Sequence, residues 1–279
     1  MKIGVSGFAW ARGFRQSHFP LLSQLREHGF RGFEIPMFTP ADLPVAAIRR
    51  AFEEADLDCT ICAILPPGIN PIDPDPEVRS KSFSHLVECV QTASDLGAKL
   101  LGGPLFAPIG YLPGHRPSPD ERKWAVECFQ SLGAALDANQ VTLSLEPVNR
   151  SETFFLRTAA EARSLCEAIG HPRIGVTIDT FHANIEEKSI PAAVRSLGPW
   201  LRHIHASEND RGVLGSGHVG LAETLQVLRE IDYDGYIVLE GFGYSPAEKE
   251  APGALWADLH VTPEDIAFRG LAYLRSLGA

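Results

Sequence analysis

The chain has 279 residues, 44% of them hydrophobic, enough to bury one large core or two small ones. Its formal net charge of −10, with no cluster of Lys or Arg, excludes a nucleic-acid surface, which needs concentrated cations to meet phosphate. No apolar run is long enough to span a bilayer, so no membrane partner is expected either.

Strand one covers residues 2–5 and starts directly after Met1 with no signal-peptide h-region, so a soluble, cytoplasmic protein is expected. The loop from 6 to 18 is rich in Gly and aromatics, with Phe8, Trp10 and Phe14. Helix one spans 19–28 and is ended by Gly29. Strand two, 32–35, carries Glu34 near its end, and Pro36 stops it. Helix two spans 45–55 and strand three 58–64. Cys59 and Cys62 have redox-motif spacing, but they lie inside this apolar strand rather than at a helix start. With Cys89, Cys128 and Cys166 they are odd in number and scattered over apolar positions, which reads as reduced core thiols.

Five prolines fix the loop 65–76 without regular structure, and an amphipathic helix follows over 77–96. Strand four is 99–101, and Gly102-Gly-Pro opens a long loop to Pro117. Ser118-Pro-Asp-Glu starts the next helix with a cap, a first-turn proline and acids against the dipole; it reaches about Asn139. Strand five begins at Val141 and stops at Glu146, behind which Pro147 ends the ladder. Helix five spans 158–169, strand six 174–179, a short helical stretch 190–197 and strand seven 201–205. After a Gly-rich loop to Gly220, helix seven covers 221–230, strand eight 236–240, and Thr262-Pro-Glu-Asp opens a last helix to Leu277.

Eight strands alternating with eight helices, without linker or composition shift, mean parallel strands with crossover helices. That pattern predicts one α/β domain over residues 1–279, a closed (β/α)8 TIM barrel. A doubly wound sheet is the alternative, but neither a dinucleotide turn nor a P-loop follows strand one. The long loops follow strands, which in a barrel places them on the C-terminal face, where active sites lie.

Four consecutive strands end in Glu146, Asp179, His205 and Glu240. Strand period sets Ser144 below Glu146, Thr177 below Asp179 and His203 below His205. Three carboxylates and an imidazole converging without Lys repel one another, and a divalent cation resolves this most simply. Oxygen-rich ligation with one His suits Mn²⁺ or Mg²⁺ better than Zn²⁺, and Co²⁺ also fits. The bland alternative is that each residue caps its own strand or pairs with a local Arg.

The segments Glu146-Pro-Val-Asn-Arg-Ser-Glu-Thr, Asp179-Thr-Phe-His-Ala-Asn-Ile-Glu-Glu, His205-Ala-Ser-Glu-Asn-Asp-Arg-Gly with Gly215-Ser-Gly-His, and Leu239-Glu-Gly-Phe resemble the ketose 3-epimerases. These are the D-tagatose and D-psicose 3-epimerases of the xylose-isomerase-like barrels, and Leu101-Gly-Gly-Pro and Gly110-Tyr-Leu-Pro are similar too. The resemblance implies that Glu146, Asp179, His205 and Glu240 are metal ligands, with Glu146 and Glu240 doubling as acid and base. It implies that Glu152, His182 and Arg211 hold the oxygens at the carbonyl end of a ketose substrate, and that the assembly is a homodimer or homotetramer. Arg157, where relatives often carry Asn, and Val219-Gly220-Leu221, which lacks acidic and aromatic residues, depart from the pattern and leave the preferred ketose open.

The chemistry agrees with that implication. Epimerising C3 removes a weakly acidic proton beside a carbonyl, giving a cis-enediolate that a divalent ion can stabilise as Lewis acid and template. One carboxylate takes the proton from one face and another returns one to the opposite face. Glu34 is also expected to face the rim, in a supporting or substrate role or as a structural ion pair. Trp10, Phe14 and Phe106 either wall the far end of the sugar or pack against neighbours, and His85, His171 and His260 read as surface residues. Aldose–ketose isomerisation and lyase or dehydratase chemistry would keep the metal, and a non-catalytic sugar-binding barrel would not need both glutamates. A DNA-repair phosphodiesterase would need several zinc ions and a basic groove. Gly215-Ser-Gly is the candidate cradle for a phosphorylated sugar.

Overall fold

In the computed structural model, which describes residues 1–242 and 259–279, eight strands close into a barrel in sequence order. They are β1 (Lys2–Ser6), β2 (Gly32–Met37), β3 (Asp58–Ala63), β4 (Leu100–Gly103), β5 (Thr142–Leu145), β6 (Ile174–Asp179), β7 (Leu201–Ala206) and β8 (Tyr236–Leu239). All pairings are parallel, and β1 pairs with both β2 and β8, so the sheet has no edge. The expected barrel is the observed fold.

The helices are α1 (Phe19–His28), α2 (Val45–Ala55), α3 (Pro76–Asp95), α4 (Pro119–Asn139), α5 (Ala159–Ile169), α6 (Thr180–Glu186), α7 (Ile190–Leu197), α8 (Leu221–Glu230) and α9 (Gly270–Ser276). A π-helical turn, Asp265–Arg269, leads into α9. Local chemistry sets their ends. Ser118 and Glu121 form a reciprocal capping box at α4, and Thr158 and Glu161 form another at α5, each cap contributing about 1 kcal/mol. α1 stops at Gly29, whose φ of 96° suits a residue without Cβ. α6 was not expected: Asp179 accepts from Phe181 N, so the strand-ending carboxylate also nucleates a seven-residue helix.

Outward-facing side chains such as Val5, Ile35, Ile61, Leu143, Val176 and Ile204 form the buried layer beneath the helices. The barrel interior is polar instead. Ser144 and Thr177 share a 2.6 Å hydrogen bond, and Glu34 on β2 reaches His203 on β7 across the barrel. Those two strands are not neighbours, so both side chains must point inward.

One boundary differs with consequence. Pro36 does not stop β2, which pairs with β3 through Pro36↔Cys62 and Met37↔Ala63. Met37 O accepts from Ile64 N just beyond β3, so the backbone of Pro36 faces the β1 side, where pairing already ends at Ser6↔Glu34. The missing N–H therefore breaks no ladder bond. Glu34 consequently sits in mid-strand, below the rim and not on it. Among the described residues, no helix is long and apolar enough to cross a membrane.

Candidate active site

The C-terminal ends of β5 to β8 bring Glu146, Asp179, His205 and Glu240 together, all buried, each offering one ligand atom within 4.8 Å of the others. Backbone pairing fixes where each stands. Asp179 lies opposite His205 in the β6–β7 register, and Glu240 N donates to Ala206 O at 2.9 Å. Glu146 N donates to Gly103 O at 3.1 Å. Gly103 has φ +123° and a Cβ there would lie 2.2 Å from Ala63 O, so β3, β4 and the glutamate are locked by one residue that must be glycine. His205 Nδ1 stands 3.2 Å from Glu146 Oε1 and 3.7 Å from Glu240 Oε2.

Arg211, itself at φ +63°, lays its buried Nη1 2.5 Å from Asp179 Oδ2 and 2.7 Å from Glu240 Oε2, with the guanidinium stacked over Phe181. Burial opposes its charge, but Asp179 and Glu240 reverse that and hold its pKa above the usual value. Burial raises Asp179, which Arg211 opposes only in part. For His205 burial lowers the pKa, yet Glu34, Glu146 and Glu240 together raise it well above the ordinary value. Burial raises Glu34 too, but His205 and His203 more than reverse it, leaving a carboxylate below its usual range.

The cluster thus pools Glu34, Glu146, Asp179 and Glu240 around one arginine and two imidazoles. His205 Nε2 and Glu34 Oε1 are 2.9 Å apart but not aligned for a hydrogen bond, and neither has another hydrogen-bond partner among the described residues. Three carboxylates and one imidazole with a ligand atom each within 4.8 Å of the others are an oxygen-rich donor set that fits a divalent cation, which the four residues can hold.

Above the cluster opens a cavity of about 620 Å³. Glu152, His182 and Arg211 line it alongside Glu146 and Glu240, so the three residues expected to hold sugar oxygens stand beside the expected ligands. Burial pushes the His182 pKa down to about 3, so the ring is neutral. Asn149 N donates to its Nδ1 at 3.2 Å, and Arg211 Nη2 stands 3.0 Å from its Nε2, so donors hold the ring at both nitrogens. Asn149 Nδ2 also donates to Glu152 Oε1 at 2.7 Å, and burial raises the Glu152 pKa.

Of the two alternatives for the loop aromatics, packing against neighbours is the one found. Trp10, Phe14 and Phe106 do not line the cavity: Trp10 and Phe14 pack on Phe33, and Phe106 packs on Phe155. Phe8, Phe38, Ile109 and Phe242 form the apolar wall instead, and Arg12 stacks over Phe38. His85 and His171 are half-buried rather than exposed; His85 contacts Cys89, and His171 covers Gly133. His260 is exposed as expected. The five cysteines are free, but Cys62 faces the site, 4.0 Å from Glu146 Oε2.

Arg157 pairs with Glu161 and does not line the cavity. The Gly215-Ser-Gly loop is no free anion cradle either. Glu208, buried and unsuspected from sequence, accepts from the backbone of Asn209, Gly215 and Val219, so a carboxylate already takes these amides. Asn149 and Glu208 both lie inside motif segments, but their roles depend on contacts that no spacing reveals.

The sequence profile of the xylose isomerase-like TIM barrel family matches residues 22–277. A ketose 3-epimerase of Arthrobacter globiformis is 30% identical over 284 residues, covering 99% of this chain and 96% of that protein. An L-ribulose 3-epimerase of Mesorhizobium japonicum is 28% identical, covering 98% and 93%. The D-allulose 3-epimerase of Methylomonas sp., solved in complex with D-allulose, superposes with a TM-score of 0.92 at 25% identity over 99% of this chain and 96% of that one. A profile spanning the barrel and a relative sharing nearly a third of its residues end to end settle the kinship: this chain belongs to the xylose isomerase-like TIM barrel family, among its ketose 3-epimerases.

Proposed function

We propose that the chain epimerises a free ketose at C3, with Glu146, Asp179, His205 and Glu240 holding a divalent cation, Mn²⁺ before Co²⁺ or Mg²⁺. The observation that carries this reading is the position of two buried carboxylates, Glu146 and Glu240, at 3.2 and 3.7 Å from one edge of the His205 ring and on the floor of the same cavity. When bound, the cation supplies Lewis-acid polarisation of the ketose carbonyl and compensates the charge of its ligands. Glu146 and Glu240 are the two bases: one takes the C3 proton from one face and the other delivers a proton to the opposite face. The reaction is reversible, so each acts as acid in one direction and base in the other.

The other residues orient the sugar. Arg211 donates to oxygens at the carbonyl end, and His182 lines the cavity beside it, its ring held between Asn149 and Arg211. Glu152 accepts from a sugar hydroxyl. Phe8, Phe38 and Phe242, together with Arg12, wall the cavity around a D-tagatose-, D-psicose- or L-ribulose-like chain. A cytoplasmic site of action and a homodimeric or homotetrameric assembly belong to the same proposal; light scattering reads the latter directly. Turnover in D₂O tests the mechanism. Deuterium at C3 of the product, and loss of epimerisation in Glu146→Gln and Glu240→Gln, are expected. Label at C1 or C2, or none at early conversion, would instead support aldose–ketose isomerisation.

A further inference from the structure

We propose that Glu34, in the middle of β2, is a positioning residue that sets the ring of His205 for metal binding, through a carboxylate braced by His203 and Thr60. The inference rests on the reading of His205 as a metal ligand. Glu34 is fully buried, and its two oxygens have separate tasks. Oε2 stands 2.8 Å from His203 Nε2 and accepts from Thr60 Oγ1 at 3.1 Å, so β3 and β7 both hold the carboxylate still. Oε1 is left for His205, 2.9 Å from its Nε2.

An imidazole has two nitrogens, and which one carries the proton decides which one can ligate. A carboxylate facing Nε2 favours the proton there and leaves the Nδ1 lone pair on the opposite edge. That edge is the one facing Glu146 and Glu240. His203 adds a mechanical constraint, its ring standing edge-on to His205 with centroids 5.0 Å apart and planes at 83°. A purely structural network would stabilise the barrel but would have no reason to place its one spare oxygen behind a ring aimed at the cation site.

The test titrates Mn²⁺ calorimetrically into the metal-stripped wild type, Glu34→Gln and Glu34→Ala, alongside thermal unfolding of the same metal-free samples. Glu34→Ala should weaken Mn²⁺ binding by about 10–100-fold. Glu34→Gln keeps the shape and one acceptor oxygen, so it should fall between the two. At saturating Mn²⁺, Glu34→Gln should recover kcat with an unchanged KM for ketose. In the Mg²⁺-loaded protein, ¹⁵N-histidine NMR should show the Nε2–H tautomer of His205 in the wild type and its loss in Glu34→Ala. Affinity equal to wild type in both variants overturns the proposal while leaving the metal reading intact. Affinity that falls only in step with the stability of the metal-free protein overturns it too, by making the role structural. A wild type that binds no Mn²⁺ removes the metal reading itself, and this proposal with it. If Glu34→Ala does not fold, Glu34→Gln decides by the same two measurements.

Discussion

At the scale of single residues, ligation and substrate contact should separate cleanly. Asp179→Asn and His205→Ala each remove one of four convergent donors, and each should weaken Mn²⁺ affinity by at least about tenfold, as loss of even an outer partner does. Full turnover by metal-stripped wild type, with no ion detectable by mass spectrometry, would remove that expectation. Glu152→Gln and Arg211→Met should behave differently, raising KM or lowering kcat for the ketose while the chain keeps about one ion. Metal loss in either variant would move that residue into the ligand set. The four strand-end residues were legible in the sequence because each interrupts an apolar run, and four such interruptions at successive strand ends point to one shared site. Glu34 was half-legible: a carboxylate inside a strand stands out, but its depth depended on whether Pro36 ended that strand. Asn149 and Glu208 left no signal, because a polar residue in a loop looks alike whether it faces water or orients a neighbour.

Elements carry the site as much as side chains do. The turn at the end of β4 is the sharpest example, since Gly103 O receives Glu146 N while a Cβ there would run into the backbone of Ala63. Gly103→Ala would meet both a left-handed φ and a backbone contact that cannot swing aside, a strain of about 1–3 kcal/mol. The expected result is a lower Tm together with a kcat loss out of proportion to it, because the strand that aims Glu146 must shift. Unchanged Tm and kcat would mean that β4 relaxes freely there. Periodicity and turn chemistry made all eight strands readable, since barrel strands with helical covers alternate strictly. They did not reveal α6, because a helix of seven residues has too few turns for a pattern and depends on the Asp179 cap. The loop aromatics stayed undecided for a related reason. Trp10 and Phe14 share a loop with Phe8, and Phe106 shares one with Ile109, and only the packing against Phe33 and Phe155 tells core from cavity wall.

For the molecule as a whole, chemistry and closure sit at opposite ends of the barrel. At the N-terminal end Lys2 of β1, Asp58 of β3 and Tyr236 of β8 meet: Lys2 Nζ lies 3.0 Å from Asp58 Oδ2, and the Tyr236 hydroxyl donates to the same oxygen. The contact bridges the β1–β8 seam, where the first and last strands close the ring. Partial burial raises the Asp58 pKa, but the Tyr236 and Lys2 bonds outweigh it and hold the carboxyl below its ordinary value. The sign follows from that direction. A depressed folded pKa contributes stability at pH above the unfolded value of about 3.9, and the contribution disappears as pH falls through the folded one. The Asp58 side chain is 57% exposed, so solvent and salt screen the effect and it should be small. Asp58→Asn should therefore lower Tm slightly at pH 7, with the gap to wild type closing below about pH 4 and narrowing in 1 M salt. Metal content and kcat should not change, since the site lies at the far rim. Scanning calorimetry of both proteins from neutral to acid pH checks this. A Tm gap that persists unchanged into strong acid would show that the aspartate acts through shape rather than charge, and no gap at neutral pH would show that the seam closes without it.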